Sequence, residues 1–122
     1  MQNTVNWFEI PAADIGRAKK FYQTILGGEM NETEMFGTKM AFFPSDGSNV
    51  AGALVQGNDY APSTQGTLVY LNGGNDLNNA LSKVEAAGGK VIVPKTQISP
   101  ELGYFAIFFD TEGNKLALHS IG

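Results

Sequence analysis

The feature that most constrains this chain is an internal repeat. Residues 5–12 alternate in polarity as a strand does and lead into Asp14 and a helical pattern. Residues 67–72 lead into Asp76 in the same way, and Asp76 follows Asp14 by 62 residues in a chain of 122. The sequence therefore predicts two copies of one structural unit.

Each copy carries the signals of a helix that begins at an aspartate and ends at a pair of glycines. Aspartate is a favoured N-cap, and apolar residues follow Asp14 at steps of three and four until the glycines at 27–28. The same pattern follows Asp76 until the glycines at 88–89. Glycine ends a helix readily because it adopts the left-handed conformation without steric cost. We expect one amphipathic helix in each copy.

Three strands are predicted after each helix. They lie near 29–35, 39–43 and 50–55 in the first copy, and at 90–93, 104–109 and 115–121 in the second. Residues 57–66 have no periodicity and contain Gly, Pro, Asn and Ser, which is typical of a linker. Residues 94–103 are predicted to form a long loop, of the kind that closes over a site. The chain is thus expected to be one domain, with a first module at 1–56, a linker at 57–66 and a second module at 67–122.

Composition excludes several classes of function. The chain has no cysteine, so disulfides and thiolate metal sites are excluded and a cytoplasmic location is favoured. Its net charge is −4 and its eight Lys and Arg residues are scattered, which argues against a nucleic-acid partner and favours a neutral or cationic ligand. No signal peptide or membrane span is apparent. We expect a cytoplasmic protein that binds neither nucleic acid nor membrane.

The repeat resembles the vicinal oxygen chelate superfamily, which contains glyoxalase I, extradiol dioxygenases and bleomycin-resistance proteins. Residues 14–22 match its entry into the first helix, and residues 109–116 are similar to its Asp-Pro-Glu-Gly-Asn turn. The resemblance covers the whole chain. It implies an α+β fold of two tandem β-α-β-β-β modules, whose curved mixed sheet forms a cup around a ligand. It also implies a homodimer, with a cup that closes within one subunit or across two.

The positions that hold a metal in this family carry unsuitable residues here. Metal-dependent members place a His on the first strand and a Glu on the last strand of each module. The matching positions are Trp7, Leu68, Ala117 and a residue near Gly52. None of these side chains ligates a metal, and a chain with one histidine cannot form a multi-His site within one subunit. The resemblance therefore implies a member without the usual metal, and we expect no cofactor.

Three titratable side chains are candidate catalytic residues. Glu9, Tyr70 and His119 each lie two residues beyond one of the empty ligand positions, so strand alternation puts them on the same face. They would form an acid-base set, with Glu9 or His119 as the base and Tyr70 as the acid or as an orienting group. A structural role is the alternative. His119 could be solvated or singly hydrogen-bonded, and Glu9 could pair with a cation or with His119.

Other side chains are candidate ligand contacts. They are Trp7, Asn72, Tyr104 and Lys95, with Phe36 and Tyr60 as further aromatic candidates. The aromatic residues would form walls for a flat or cationic ligand, and Lys95 would meet an anionic group from the predicted lid. Aromatic residues in a small β-rich domain are also common in the core, and a loop lysine is commonly solvated.

Three functional hypotheses follow. The first is a protein that binds a small organic molecule in the cup without a metal, as the bleomycin-resistance branch does. The second is a metal-independent lyase or isomerase that uses Glu9, Tyr70 and His119; by resemblance, this would be similar to lactoylglutathione lyase. The third is a regulatory or interaction domain with a vestigial cup, which a cup filled by its own side chains would favour.

Overall fold

The computed structural model describes residues 3–122, within which eight strands and two helices form. The first two residues of the predicted first module lie outside that range. In chain order the elements are β1 (Trp7–Pro11), α1 (Ile15–Leu26), β2 (Asn31–Met35), β3 (Thr38–Phe42), β4 (Ala51–Gln56), β5 (Tyr70–Asn72), α2 (Asn78–Leu81), β6 (Lys90–Ser99), β7 (Gly103–Phe109) and β8 (Lys115–Ser120).

The strands form two four-stranded mixed sheets of the same topology. The first sheet has the order β1-β4-β3-β2 and the second has the order β5-β8-β7-β6. In each sheet the first and last strands of the unit pair in parallel, and the other pairs are antiparallel. The predicted α+β fold with two β-α-β-β-β units is confirmed. The two sheets are separate, because within residues 3–122 the edge strands β1 and β5 do not pair through main-chain hydrogen bonds.

Helix α1 follows its sequence signals closely. The Asp14 carboxylate accepts a hydrogen bond from the Arg17 backbone N–H at 3.1 Å, as an N-cap does. At the other end Gly27 adopts a φ of 71°, and its N–H donates to the Gln23 carbonyl. The buried face of the helix consists of Ile15, Ala18, Phe21, Tyr22 and Ile25. Local capping and periodicity therefore suffice to define this helix.

The second predicted helix is much shorter than expected. The periodicity after Asp76 predicts a helix up to the glycines at 88–89, but α2 ends at Leu81. The chain beyond it forms turns, in which Lys83 and Val84 donate their N–H groups to carbonyls only three residues earlier. The N-cap position of α2 is Leu77, which makes no side-chain cap hydrogen bond, and Asp76 lies one residue earlier, where its carboxylate accepts from the Asn78 N–H. A three-residue hydrogen-bond spacing keeps the apolar face buried without a regular α-helix.

The predicted lid at 94–103 is wrong, because most of that segment belongs to β6. Proline removes one N–H donor, so a strand seldom continues through a residue such as Pro94. The structure tolerates it because β6 is an edge strand whose pairing with β7 shifts register between Val93 and Thr96. Only residues 100–102 connect β6 to β7.

Both units contribute to one hydrophobic core. The Phe21 ring of α1 packs against the Phe108 ring of β7, with centroids 6.0 Å apart. Beside it the Tyr22 hydroxyl donates to Asp110 at 2.7 Å in a buried hydrogen bond. Burial and the charge of Asp110 raise the pKa of Tyr22 well above its usual value, so the phenol stays a donor. The core thus lies on the helix side of both sheets and leaves their other faces free of helices.

Candidate functional site

The helix-free face of the first sheet, here called the first open face, carries the residues of interest. On β1, Ile10 points to the helix side and is buried, whereas Trp7 and Glu9 alternate onto the open face. Across the sheet, Glu9 lies next to Ala53 of β4, and Ala53 lies next to Phe42 of β3. Glu9 and Phe42 are therefore on the same face, with a small alanine between them.

The aromatic-carboxylate cluster consists of four side chains, which are those of Glu9, Trp7, Phe42 and Tyr60. The Trp7 indole N–H donates to one carboxylate oxygen of Glu9 at 3.4 Å, and the Tyr60 hydroxyl donates to the other at 3.2 Å. The Trp7 and Phe42 ring centroids are 6.1 Å apart. The negative charge of Glu9, together with this hydrogen bond, raises the pKa of Tyr60. Trp7 remains 44% exposed, so the cluster offers a ring and a charge to solvent.

Part of this cluster is predictable from the sequence. Trp7 and Glu9 were predicted to share a face from strand alternation alone. Tyr60 was a further aromatic candidate, although its contact with Glu9, 51 residues away, cannot be read from spacing. Phe42 was missed, because its position depends on the β3–β4 register. Phe36, the other aromatic candidate, lies fully exposed in the turn between β2 and β3.

The second sheet has a corresponding open face with Tyr70, Asn72 and His119. Asn72 pairs with His119 across β5 and β8, and Tyr70 lies two residues before Asn72 on the same face. A ring nitrogen of His119 lies 2.6 Å from the Leu102 carbonyl oxygen, to which it donates. The Asn72 side-chain oxygen accepts from the Gly74 N–H at 2.8 Å. These polar groups are thus held by main-chain partners in nearby turns.

The three candidate catalytic residues share this side of the molecule without contacting one another. Glu9 is bound by Trp7 and Tyr60, and His119 is bound by Leu102. Across residues 3–122 no hydrogen bond connects Glu9, Tyr70 and His119. Their acid-base roles stay a prediction.

Tyr104 and Lys95 lie on the other side of the second sheet. Tyr104 pairs with Ser120, one residue beyond His119, so its ring points toward the helix side. The Lys95 Nζ lies 4.6 Å from the centroid of that ring and 2.9 Å from the Asp76 carboxylate. The hydrogen bond from Lys95 lowers the pKa of Asp76. The structure therefore does not bring these two candidate contacts together with Trp7 and Asn72.

The turn between β7 and β8 reaches across to the first unit through Glu112. This carboxylate accepts from the backbone N–H groups of Ala13 and Asp14 at 2.9 and 2.8 Å. It also pairs with the Arg17 guanidinium at 2.7 Å, although its own side chain is fully buried. Burial alone would raise the pKa of Glu112, but the hydrogen bonds from Arg17 and Asp14 outweigh it and the pKa is lowered.

Asn114, in the same turn, ties three segments together. Its amide N–H donates to the Pro11 carbonyl at 2.6 Å and to Asp110 at 3.0 Å. Its side-chain oxygen accepts from the Ser63 N–H at 3.1 Å. Asp110, Glu112 and Asn114 are called the seam clamp below, and the seam is the gap between β1 and residues 67–72. The clamp was seen in the sequence as a turn, but its contacts nearly a hundred residues away carry no local signal.

Hydrogen bonds between first and last strands define which positions in the two units are equivalent. Ala12 donates its N–H to the Val55 carbonyl at 2.8 Å, and Gly73 donates to the His119 carbonyl at 2.6 Å. Ala12 therefore corresponds to Gly73, and Val55 corresponds to His119. Counting back from Ala12 and Gly73 along the first strands, Trp7 corresponds to Leu68. Counting back from Val55 and His119 along the last strands, Ala53 corresponds to Ala117. The first-unit equivalent of Ala117 is thus Ala53, one residue beyond Gly52.

The four positions that would hold the family's metal do not fit one. An indole N–H only donates, and leucine and alanine side chains have no lone pair to offer. Within the described range, no three His, Asp or Glu side chains are grouped closely enough to bind a metal ion. The residues present at Trp7, Ala53, Leu68 and Ala117 therefore lack the usual metal ligands.

Comparison with known proteins identifies the family. A family model of the Glyoxalase/Bleomycin resistance protein/Dioxygenase superfamily matches residues 4–118. The chain belongs to this superfamily. It is also 30% identical over 122 residues to a "Glyoxylase-like domain-containing protein" from Didymella fabae, a match that covers 97% of this chain and 94% of that relative.

Solved structures of similar fold include both binding proteins and enzymes. TnmS3, an antibiotic-binding protein from Streptomyces sp. CB03234, superposes with a TM-score of 0.72 at 22% identity, covering 98% of each chain. Glyoxalase I from Zea mays superposes with a TM-score of 0.69 at 18% identity, but this superfamily member spans only 45% of the maize chain. These likenesses show the fold.

Neither helix within residues 3–122 is long and apolar enough to cross a membrane.

Proposed function

We propose that this superfamily member binds a small, flat organic cation at the aromatic-carboxylate cluster and needs no metal to do so. The observation that carries the proposal is Glu9, which holds a negative charge on the open face between Trp7 and Tyr60. Both partners are neutral donors, so the charge of Glu9 is not cancelled by either one.

The physical chemistry of the cluster favours a cation over an anion. A cation over an indole face gains about 0.5–2 kcal/mol, and a carboxylate within reach adds Coulomb attraction. The chain's net charge of −4 acts in the same direction. Phe42 adds a second ring on which a flat molecule can pack. The antibiotic-binding description of TnmS3, a protein of the same fold, supports a binding role here as well.

The test uses a pair of flat probes that differ in charge. At neutral pH 9-aminoacridine is a cation and acridine is uncharged, and Trp7 is the one tryptophan of the chain, so its fluorescence reports binding. We expect Glu9→Gln to weaken 9-aminoacridine binding about tenfold, equivalent to about 1.4 kcal/mol, and to leave acridine binding unchanged.

The matched control is Glu34→Gln, which removes an equal charge from an exposed position of β2 in the same sheet. It should change neither probe's affinity. Equal binding of 9-aminoacridine by Glu9→Gln and the unmodified protein would overturn the proposal, as would failure of the unmodified protein to bind either probe.

Metal independence has its own test. Protein dialysed against a chelator and then freed of it should bind 9-aminoacridine with unchanged affinity, because none of the groups in the cluster needs a metal to hold its position. A loss of binding that zinc, nickel, manganese or iron restores would contradict this part of the proposal.

We also propose a cytoplasmic homodimer without a nucleic-acid partner. Large apolar side chains outside the aromatic-carboxylate cluster remain exposed on the open faces, among them Met35 and Tyr70, and a partner subunit would cover them. Scattered basic residues and an acidic balance support the absence of nucleic acid. Light scattering on purified protein tests the homodimer, and a monomer mass at high concentration would contradict it.

A further inference from the structure

A cavity of about 610 Å³ opens at the seam on the helix side of the first sheet. It begins at the end of α1 and extends to the edge of β5. Its apolar walls are formed mainly by Val5, Phe8, Leu26, Phe43, Val50 and Leu68. Phe8 alternates with Trp7 and Glu9 along β1, so this cavity lies on the opposite side of the sheet from the aromatic-carboxylate cluster.

The lining carries no formal charge. None of the described residues around this cavity is Asp, Glu, Lys, Arg or His, in a chain where 16% of residues are charged. Its volume falls within the range of about 300–1,000 Å³ that small-molecule sites occupy. A charged ligand would lose its hydration here without gaining a partner. The cavity therefore suits an uncharged molecule.

The two units differ in what lines the space beside the seam. The equivalent space of the second unit holds only about 260 Å³, since linker residues and Asn114 narrow it. There, Asn114 bridges the Pro11 carbonyl and the Ser63 N–H. By the equivalence of Val55 and His119, the residue of the first unit in the place of Asn114 is Val50. Valine has no donor or acceptor to make such a bridge.

The turn of the first unit does not compensate for this substitution. Its asparagine, Asn49, donates to Asp46 of its own loop at 3.2 Å. Asp46 in turn accepts from the Ser48 N–H at 2.9 Å. The polar groups of this turn thus bind one another, whereas polar groups of the seam clamp bind the opposite unit. The seam is held at one end and left open at the other.

The cavity also offers a polar edge. The Val69 carbonyl and the Gly73 N–H form hydrogen bonds with β8. Along a strand, the main-chain N–H and carbonyl groups of successive residues point to opposite neighbouring strands. The main-chain groups of Tyr70 and Asn72 therefore face the seam, where no strand of the described chain pairs with them. One carbonyl or hydroxyl group on a ligand would find a partner along this edge.

We infer that this seam cavity is a second binding site, for an uncharged and largely apolar small molecule. It is independent of the aromatic-carboxylate cluster and differs from it in ligand charge. A molecule bound there contacts both units, so it stabilises the open end of the seam as the clamp stabilises the closed end.

N-phenyl-1-naphthylamine, an uncharged dye that fluoresces in apolar surroundings, tests the inference. The unmodified protein should bind it saturably and melt at a higher temperature in its presence. Val50→Asp should weaken that binding at least tenfold, because it places a carboxylate at the cavity wall. Ile98→Asp is the matched control, since Ile98 is a similarly exposed aliphatic residue on β6 outside the cavity.

Two further variants keep the result interpretable. Val5→Asp places the charge at a more exposed part of the lining and should also weaken dye binding, even if Val50→Asp folds poorly. Glu9→Gln should leave dye binding unchanged, and Val50→Asp should leave 9-aminoacridine binding unchanged, so the two sites can fail separately. Dye binding that is absent, or equal in Val50→Asp, Val5→Asp and Ile98→Asp, would overturn the inference.

Discussion

Glu112 stabilises the entry of α1 from a position 98 residues further along the chain than its partner Asp14. Glu112→Gln keeps the size of the side chain but loses its charge and one acceptor oxygen, so we expect a loss of about 2 kcal/mol of unfolding free energy at neutral pH. Urea denaturation followed by circular dichroism measures it.

The pH dependence of the same variant gives a second measurement. The pKa of Glu112 is lowered in the folded protein, so its stabilisation is complete above the usual value of 4.5 and is lost as the pH falls through the lowered pKa. The stability difference between Glu112→Gln and the unmodified protein should therefore shrink below pH 4.5. A difference that stays constant with pH would show that the charge does not matter.

Tyr22 and Tyr60 make similar hydrogen bonds in different surroundings. Tyr22→Phe removes one of the donors to the buried Asp110 carboxylate, in a place where water does not replace it, and should cost about 2 kcal/mol. Tyr60→Phe removes a hydrogen bond to the exposed Glu9, where water replaces it, and should leave the melting temperature unchanged. Thermal unfolding of the two variants side by side checks this, and equal losses would contradict the assigned burial.

At the scale of single residues, the sequence predicted what alternation along one strand determines. Trp7 and Glu9 were placed on one face correctly, because they lie two residues apart on β1. The ring of Tyr104 makes it a candidate contact, but the register that pairs Tyr104 with Ser120 depends on distant strands and leaves no local pattern. Phe42 was missed for the same reason, since sheet register depends on contacts that are distant in sequence.

Among the elements, the two helices invite a direct comparison. Asp14 caps a twelve-residue helix, and Asp14→Ala should cost about 1 kcal/mol. Asp76→Ala removes one hydrogen bond to the Asn78 N–H and a partly buried ion pair with Lys95, beside a helix of four residues whose N-cap is Leu77, so its loss should be smaller. Chemical denaturation of both variants tests the order, and an equal or larger loss for Asp76→Ala would contradict the short α2.

The elements that sequence predicted well are those whose signals are local. Asp14 and Gly27 delimit α1 by their own conformations, so its bounds were predicted almost to the residue. Helix α2 was predicted too long, because periodicity does not distinguish an α-helix from tighter turns with the same buried face. Strand β6 was cut short at Pro94, because a proline is tolerated only on an edge and edge position is a property of the whole sheet.

For the whole molecule, Asn114 and Asn49 test the asymmetry between the units. Asn114→Leu breaks the bridge between Pro11 and Ser63 and should cost about 2 kcal/mol. It should also speed amide hydrogen exchange in residues 57–66, measured by mass spectrometry. Asn49→Leu changes the same residue type in an exposed loop and should alter neither. Faster exchange in both variants would mean that the clamp does not hold the linker.

The shared core has a consequence for how this chain can be divided. Phe21 and Phe108 bury each other from different units, so a half-length fragment would present an unsatisfied apolar surface to water. The proposed module boundaries still mark a place where the backbone can be cut, since residues 57–66 form no helix or strand. Fragments 1–60 and 61–122 should therefore be unfolded alone and regain native circular dichroism on mixing, as a two-part reporter whose halves assemble only with each other.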